Sequence, residues 1–183
     1  MRFHRLLCAV AALALVALPM TAGIKAMTLS ELMDITADTL SVRILETSTH
    51  ATEIDGERLV YTKLSVAGES MRTGEGVSQD VIFWGSHDVS DDFMLSEMPQ
   101  LQDIRRGNEI VLFVGAESFE GMPIAHNLAY AYRVETIFGN EVVIGKGEGM
   151  AFETNVKLDD ARNSVREIHI VLEAAKQAAK ANK

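Results

Sequence analysis

The chain is nearly free of cysteine. Of its 183 residues only Cys8 is a cysteine, and it lies inside an apolar run near the N-terminus. If that run is removed on export, the remaining chain has no thiol. This excludes disulfides, cysteine–metal sites and a cysteine nucleophile. A small exported domain of this kind depends on its hydrophobic core for stability.

Long hydrophobic runs are also rare. The uninterrupted apolar run of residues 6–18 follows a basic head at Arg2 and Arg5 and precedes small residues at 21–23. That order is typical of a secretory signal, and the run is short for a membrane span. We predict a signal peptide over 1–23, with cleavage between Ala22 and Ala26. The mature protein is then expected in the periplasm or outside the cell.

Positive charge is scarce as well. Residues 24–183 carry 15 Lys and Arg against 26 Asp and Glu, which gives a net charge of −11. An acidic surface repels nucleic acid and anionic lipid. We therefore expect no nucleic-acid partner, and the hydropathy predicts no membrane span in the mature chain. The expected partner is an unidentified protein or small molecule.

Hydrophobic periodicity predicts a short helix followed by strands. Thr28 and Glu31 form a capping box in front of about two helical turns. Alternating apolar residues then predict about six strands, which begin near residues 40, 60, 81, 110, 128 and 142. Asp55–Gly56 and Gly139–Asn140 predict hairpin turns, the second of type II′. The segments 85–108 and 115–127 are expected to be long irregular loops.

The end of the chain returns to a helical period. Ser164 and Glu167 form a second capping box, and the apolar spacing permits a helix that begins as early as Asp159. The predicted fold class is mainly β. It consists of a small five- to six-stranded Greek-key barrel with a short N-terminal helix and a C-terminal amphipathic helix. We place the barrel at 24–155 and the packed terminal helix at 156–183.

Several short motifs carry a family resemblance. They are Leu29, Glu31 and Leu32 before Ala37–Asp38, Tyr61–Thr62 in the second strand, Met98–Pro99 before Arg106-Gly107-Asn108-Glu109, the strand Val111–Val114, and Gly145-Lys146-Gly147. In these the chain resembles a group of functionally uncharacterised exported bacterial proteins. Their small β-barrel is similar to the oligonucleotide/oligosaccharide-binding (OB) fold or the netrin-like module. The resemblance implies an OB-like barrel and assigns no reaction.

The densest set of possible ligands follows the third strand, at His87, Asp88, Asp91 and Asp92. Their oxygens suit Ca²⁺, but the spacing departs from an EF-hand, so we interpret the segment as a solvated acidic loop. Together with His126, these residues are our candidates for a binding surface between the segments 86–104 and 115–127. We predict no catalytic residue, no metal ligand and no cofactor.

The expected function is an exported, non-enzymatic binding or structural module. The alternative is a small exported hydrolase or divalent-metal-binding protein that uses the segment 86–92. The chain has no GxSxG or HExxH motif. A pocket that joined His87 and Asp91 or Asp92 to His126 or His50 would favour the enzyme.

Two further hypotheses concern apolar residues. A group of aromatic residues could stack on a sugar or base, although alternate spacing more often indicates packing in the core. These residues are Tyr61, Phe83, Trp84, Tyr130 and Tyr132. In the other hypothesis, the terminal helix binds a partner through Ile168, Val171 and Leu172.

Overall fold

The computed structural model describes residues 26–86, 99–126 and 131–181. The predicted signal peptide, the four candidates between His87 and Asp92, and Tyr130 lie outside these residues. Within the described ranges the elements in chain order are α1 (Leu29–Ile35), β1 (Asp38–Ile54), β2 (Glu57–Ser70), β3 (Gly76–Trp84), β4 (Glu109–Phe119), β5 (Met122–Ala125), β6 (Tyr132–Ile137), β7 (Asn140–Val143), β8 (Val156–Lys157) and α2 (Leu158–Ala181).

Five strands close into a barrel. The long strand β1 pairs antiparallel with β2 and also with β4. Strand β3 pairs antiparallel with β2. Strand β5 closes the barrel by pairing antiparallel with β4 and parallel with β3. The order β1-β2-β3-β5-β4-β1 is a closed Greek-key barrel of the OB-like type, which confirms the predicted fold class. Strands β6, β7 and β8 extend the sheet beyond β4.

The barrel interior forms the first core. Alternate residues of β1 to β4 point inward, as the period of 2 requires. A bulge between Ile44 and Glu46 shifts the register of β1 against β2. Such a bulge increases the local twist that closure needs. The buried residues of this core are Leu40, Val42, Ile44, Leu64, Val66, Val81, Phe83, Ile104, Ile110, Leu112, Val114, Ala125 and Ala131.

A second core lies between the outer wall of the barrel and the two helices. Val111 and Phe113 of β4 point outward, opposite to the interior residues of the same strand, and α1 and α2 cover them. Ile168 and Leu172 of α2 pack against this core. Val171 is instead 66% exposed. Two of the three helix residues proposed as a partner interface therefore belong to the fold.

A buried arginine closes the end of α1. The last turn of α1 has no basic residue. Arg72, which follows β2, donates from Nη2 to the carbonyl of Met33 at 2.9 Å and to the hydroxyl of Thr36 at 2.8 Å. A cation is favourable at a helix C-terminus because of the helix dipole. Burial nevertheless lowers the pKa of Arg72, because desolvation opposes the charged form.

Two predicted hairpin turns have different outcomes. Asp55 and Gly56 connect β1 to β2, both with positive φ, as in a type I′ turn. The other turn lies one residue earlier than predicted, because Ile137 pairs with Asn140. Its central residues are Phe138 and Gly139, with φ of 50° and 79°. The turn is therefore of type I′ and not II′, and the strand ends before Phe138.

The predicted loop 115–127 was wrong. Strand β4 continues to Phe119, and Glu120 and Gly121 form a tight turn into β5. Three residues, 115–117, bulge where β4 meets Ile124. Glutamate rarely adopts the positive φ of 52° that Glu120 has here, so the Glu–Gly pair did not indicate a hairpin.

The terminal helix begins one residue before the earliest start that the apolar spacing permits. Helix α2 begins at Leu158, directly after β8, with Asp159 and Asp160 in its first turn. These carboxylates favour the positive end of the helix dipole. Ser164 and Glu167 therefore lie inside the helix and do not cap it.

Candidate functional site

The outer face of β1, β2 and β3 carries an ordered array of side chains. Leu64 and Val81 point into the barrel, so their strand neighbours point outward. The registers place the outward residues in three cross-strand rows. The rows are Glu46–Ser65–Asp80, Ser48–Lys63–Ile82 and His50–Tyr61–Trp84. We call the third the aromatic row.

The rings of the aromatic row are in contact, and Phe119 extends them. The His50 imidazole stacks on the Tyr61 ring at 5.3 Å between centroids, with 16° between the planes. Trp84 meets Tyr61 edge-on at 6.1 Å. Phe119, at the end of β4, lies 5.5 Å from Tyr61 and 5.1 Å from Trp84. Tyr61 is buried, whereas His50, Trp84 and Phe119 are partly exposed.

Polar groups adjoin these rings on the neighbouring rows. The Ser48 Oγ lies 2.9 Å from the Nε2 of His50. On the other side, the Lys63 Nζ is 3.3 Å from the Asp80 carboxylate, which also accepts a 2.6 Å hydrogen bond from Ser65. The surface therefore offers apolar ring faces together with hydroxyl, imidazole, ammonium and carboxylate groups.

The Asp80 carboxyl is tuned by its neighbours. The hydrogen bond from Ser65 lowers the pKa of Asp80, and the Lys63 ammonium lowers it further. A carboxyl whose pKa is depressed in the folded state adds stability above its unfolded pKa. That stability is lost as the pH falls through the folded value. Because Asp80 is partly exposed, the contribution is under about 1 kcal/mol.

This tuning predicts a measurable titration. In an NMR pH titration, the Asp80 carboxyl of the wild-type protein is expected to titrate below an ordinary aspartate. In Ser65→Ala the pKa of Asp80 should rise, because the largest cause of its depression is removed. Ser78→Ala, on the exposed part of the same β3 strand, is the control and should leave the titration unchanged. An equal Asp80 pKa in wild type and Ser65→Ala would contradict this assignment.

The predicted candidate His126 lies elsewhere. Its backbone N–H donates to the carbonyl of Phe113, and its side chain lines a groove of about 430 Å³ beside Ile35 and Glu117. This groove shares no lining residue with the aromatic row. The other four candidates, His87, Asp88, Asp91 and Asp92, lie outside the described residues. Phe119, which also belongs to the segment 115–127, does contact the aromatic row.

The proposed aromatic platform is divided by the fold. Phe83 points into the first core and Tyr132 into the second, whereas Tyr61 and Trp84 lie on the outer face. Phe119 was not predicted as part of this surface, because the segment 115–127 was expected to be a loop. Ser48 was not predicted either, although serine and histidine two residues apart on a regular strand share a face.

A larger groove of about 560 Å³ runs between β1, β2 and the start of α2. Four of the five charged side chains that line it form ion pairs, Arg43 with Glu109 and Arg162 with Glu69. Among the residues that the structure describes, no three His, Cys, Asp or Glu side chains lie close enough to hold a metal ion. In the same part of the chain, neither helix combines the length and apolarity needed to cross a membrane.

Comparison of the chain with protein-family models, with curated proteins and with solved structures found no match.

Proposed function

We propose that the chain is an exported binding module whose ligand contains a sugar-like ring. The ligand would stack on the partly exposed rings of His50, Trp84 and Phe119. The observation that carries this proposal is the contact cluster of His50, Tyr61, Trp84 and Phe119 on one outer face of the barrel. In OB-fold barrels the face of the second and third strands is a frequent site for oligosaccharides and oligonucleotides, which supports the location by analogy of fold.

The charge favours a sugar over a nucleic acid. A single-stranded nucleic acid needs a positive groove for its phosphates, whereas this chain has an excess of acidic residues. Hydroxyl groups of a neutral ring match the mixed donors and acceptors of Ser48, Lys63 and Asp80.

The position of Trp84 provides the experiment. It is the only tryptophan of the chain, so the tryptophan emission, excited selectively, reports on this surface alone. We expect cellotetraose, chitotetraose or maltotetraose to change the emission in a saturable way. Because stacking on an aromatic ring is worth about 1–3 kcal/mol, Phe119→Ala should weaken binding by about tenfold or more.

Phe138→Ala is the matched control, because Phe138 is fully exposed and lies on the β6–β7 turn. It should bind as the wild type does. If none of these sugars changes the emission, and a glycan array reveals no binding, the sugar proposal is wrong. If single-stranded DNA binds and sugars do not, the ligand class is a nucleic acid.

Export belongs to the same proposal. Its support is the basic and apolar pattern of residues 1–23. Expression of the full chain in a bacterium with two membranes, followed by fractionation and intact-mass measurement, tests it. We expect a periplasmic or secreted product that begins between Gly23 and Met27. A full-length cytoplasmic product would contradict export.

A further inference from the structure

We infer that the outer face also carries an acyl-transfer site, in which Ser48 is the nucleophile and His50 the base, and that its substrate class is a carboxylic ester of a sugar. The inference goes beyond binding and rests on the proposed function only for the sugar part of the substrate.

The first observation is the nucleophile–base contact. The Ser48 Oγ lies 2.9 Å from the His50 Nε2, within the reach that proton transfer requires. In the tautomer that carries its proton on Nδ1, the serine hydroxyl donates to Nε2, and the imidazole can remove that proton during attack. The two residues are neighbours on one face of β1, so the rigid strand fixes their separation.

The second observation is the support of the imidazole. The His50 ring stacks on the Tyr61 ring, whose own position is fixed by burial and by contacts with Trp84 and Phe119. This stack limits rotation of the imidazole and keeps Nε2 directed towards Ser48. A base that is held in place is more effective than one that must first be oriented.

The third observation is the placement of positive charge. Lys63 is the cross-strand partner of Ser48 on β2, and the Asp80 carboxylate holds its ammonium on this face. A cation on the adjoining row can stabilise the oxyanion that forms when an ester carbonyl is attacked. A sugar ring on the aromatic row would present its acyl groups to the next row, where Ser48 and Lys63 lie.

The reaction follows from these placements. The Ser48 oxygen forms a bond to the ester carbonyl carbon while His50 takes the hydroxyl proton, which gives a tetrahedral oxyanion beside Lys63. The bond to the sugar oxygen breaks, and His50 returns the proton to that oxygen. Water, deprotonated by His50, then attacks the acyl-Ser48 ester and releases the carboxylic acid and free serine.

The full chain, purified after expression, should hydrolyse p-nitrophenyl acetate and release acetate from glucose pentaacetate. A fluorophosphonate probe should label the protein, and mass spectrometry should place the label on Ser48. We expect Ser48→Ala to abolish labelling and hydrolysis, and His50→Gln to slow hydrolysis by about a hundredfold or more. Ser78→Ala, an exposed serine on β3, is the control and should retain both activities.

A pH profile separates catalysis from structure. The pH profile of the wild-type rate should differ from the profile of the residual rate in His50→Gln, because only the wild type has a general base at position 50. Circular dichroism checks that both variants remain folded. Absence of labelling in the folded wild type, or labelling that persists in Ser48→Ala, would overturn the inference.

The two proposals fail separately. If cellotetraose changes the Trp84 emission but no ester is hydrolysed, the surface binds sugars without acyl transfer. If esters are hydrolysed with loss of activity in Ser48→Ala but no sugar binds, the acyl-transfer site stands and the sugar ligand is wrong.

Discussion

Gly68→Ala is expected to destabilise the protein strongly. A Cβ atom added at Gly68 would lie 2.1 Å from the carbonyl oxygen of Ser41 and 2.7 Å from the Cα of Val42. Both are backbone atoms of β1, which is held on its other edge by β4. The clash therefore cannot be relieved by turning a side chain, and two barrel strands would have to separate.

The expected loss is about 3 kcal/mol or more of unfolding free energy, at the upper end for an overpacked core. Urea denaturation followed by circular dichroism measures it. Gly76→Ala is the matched control, because the added Cβ would approach no atom closer than 3.9 Å. It should change stability by less than about 1 kcal/mol. Equal denaturation midpoints for the two variants would contradict the close packing of β1 on β2.

Phe113→Ala is the second change with a large expected effect. Phe113 is 1% exposed and points outward from β4. Its ring packs between those of Tyr132 and Phe152, with centroid distances of 6.3 Å and 6.5 Å. Its removal would leave a cavity between the barrel wall and the two helices. Phenylalanine-to-alanine changes in a core cost about 3–5 kcal/mol. The total free energy of unfolding of such a domain is only about 5–15 kcal/mol, so the variant should be close to unfolding.

Thermal and urea denaturation measure this effect. Phe138→Ala is the control, because Phe138 is fully exposed and its loss should change the unfolding free energy by under about 0.5 kcal/mol. If Phe113→Ala were as stable as the control, the helices would not be packed on β4. The result would then separate the barrel from the second core.

The two large expected losses of stability have a common origin. Gly68 in β2 and Phe113 in β4 belong to the two strands that pair with β1, and both residues are closely packed. Because Cys8 is its only cysteine, the chain cannot form an internal disulfide that would compensate for such losses. Its stability is expected to depend on packing more directly than in disulfide-rich exported domains.

Local signals in the sequence were sufficient for much of the fold. The capping box of Thr28 and Glu31 is present at the start of α1. Asp55–Gly56 forms the predicted turn, and the alternation at Leu40, Val42 and Ile44 places these residues in the barrel core. These features depend on contacts between residues close in the chain or on a fixed side-chain period, so the sequence reports them directly.

Other elements depended on unusual local conformations. Glu120 and Phe138 adopt positive φ in tight turns, although neither residue type favours it. Strand pairing on both sides imposes these conformations, at a cost that the sheet offsets. For this reason the β4–β5 hairpin was predicted as a loop, and the β6–β7 turn was predicted one residue late.

What the sequence determined alone was the alternation of inward and outward residues along β1 and β2, the start of α1, and the acidic character of the protein. What the tertiary structure decided was which outward residues meet. Ser48, His50, Tyr61, Trp84 and Phe119 come from four strands, and their contacts depend on the register of β1, β2 and β3 and on the length of β4. Register results from summed long-range packing, and a shift of one residue would send each of these side chains to the opposite face.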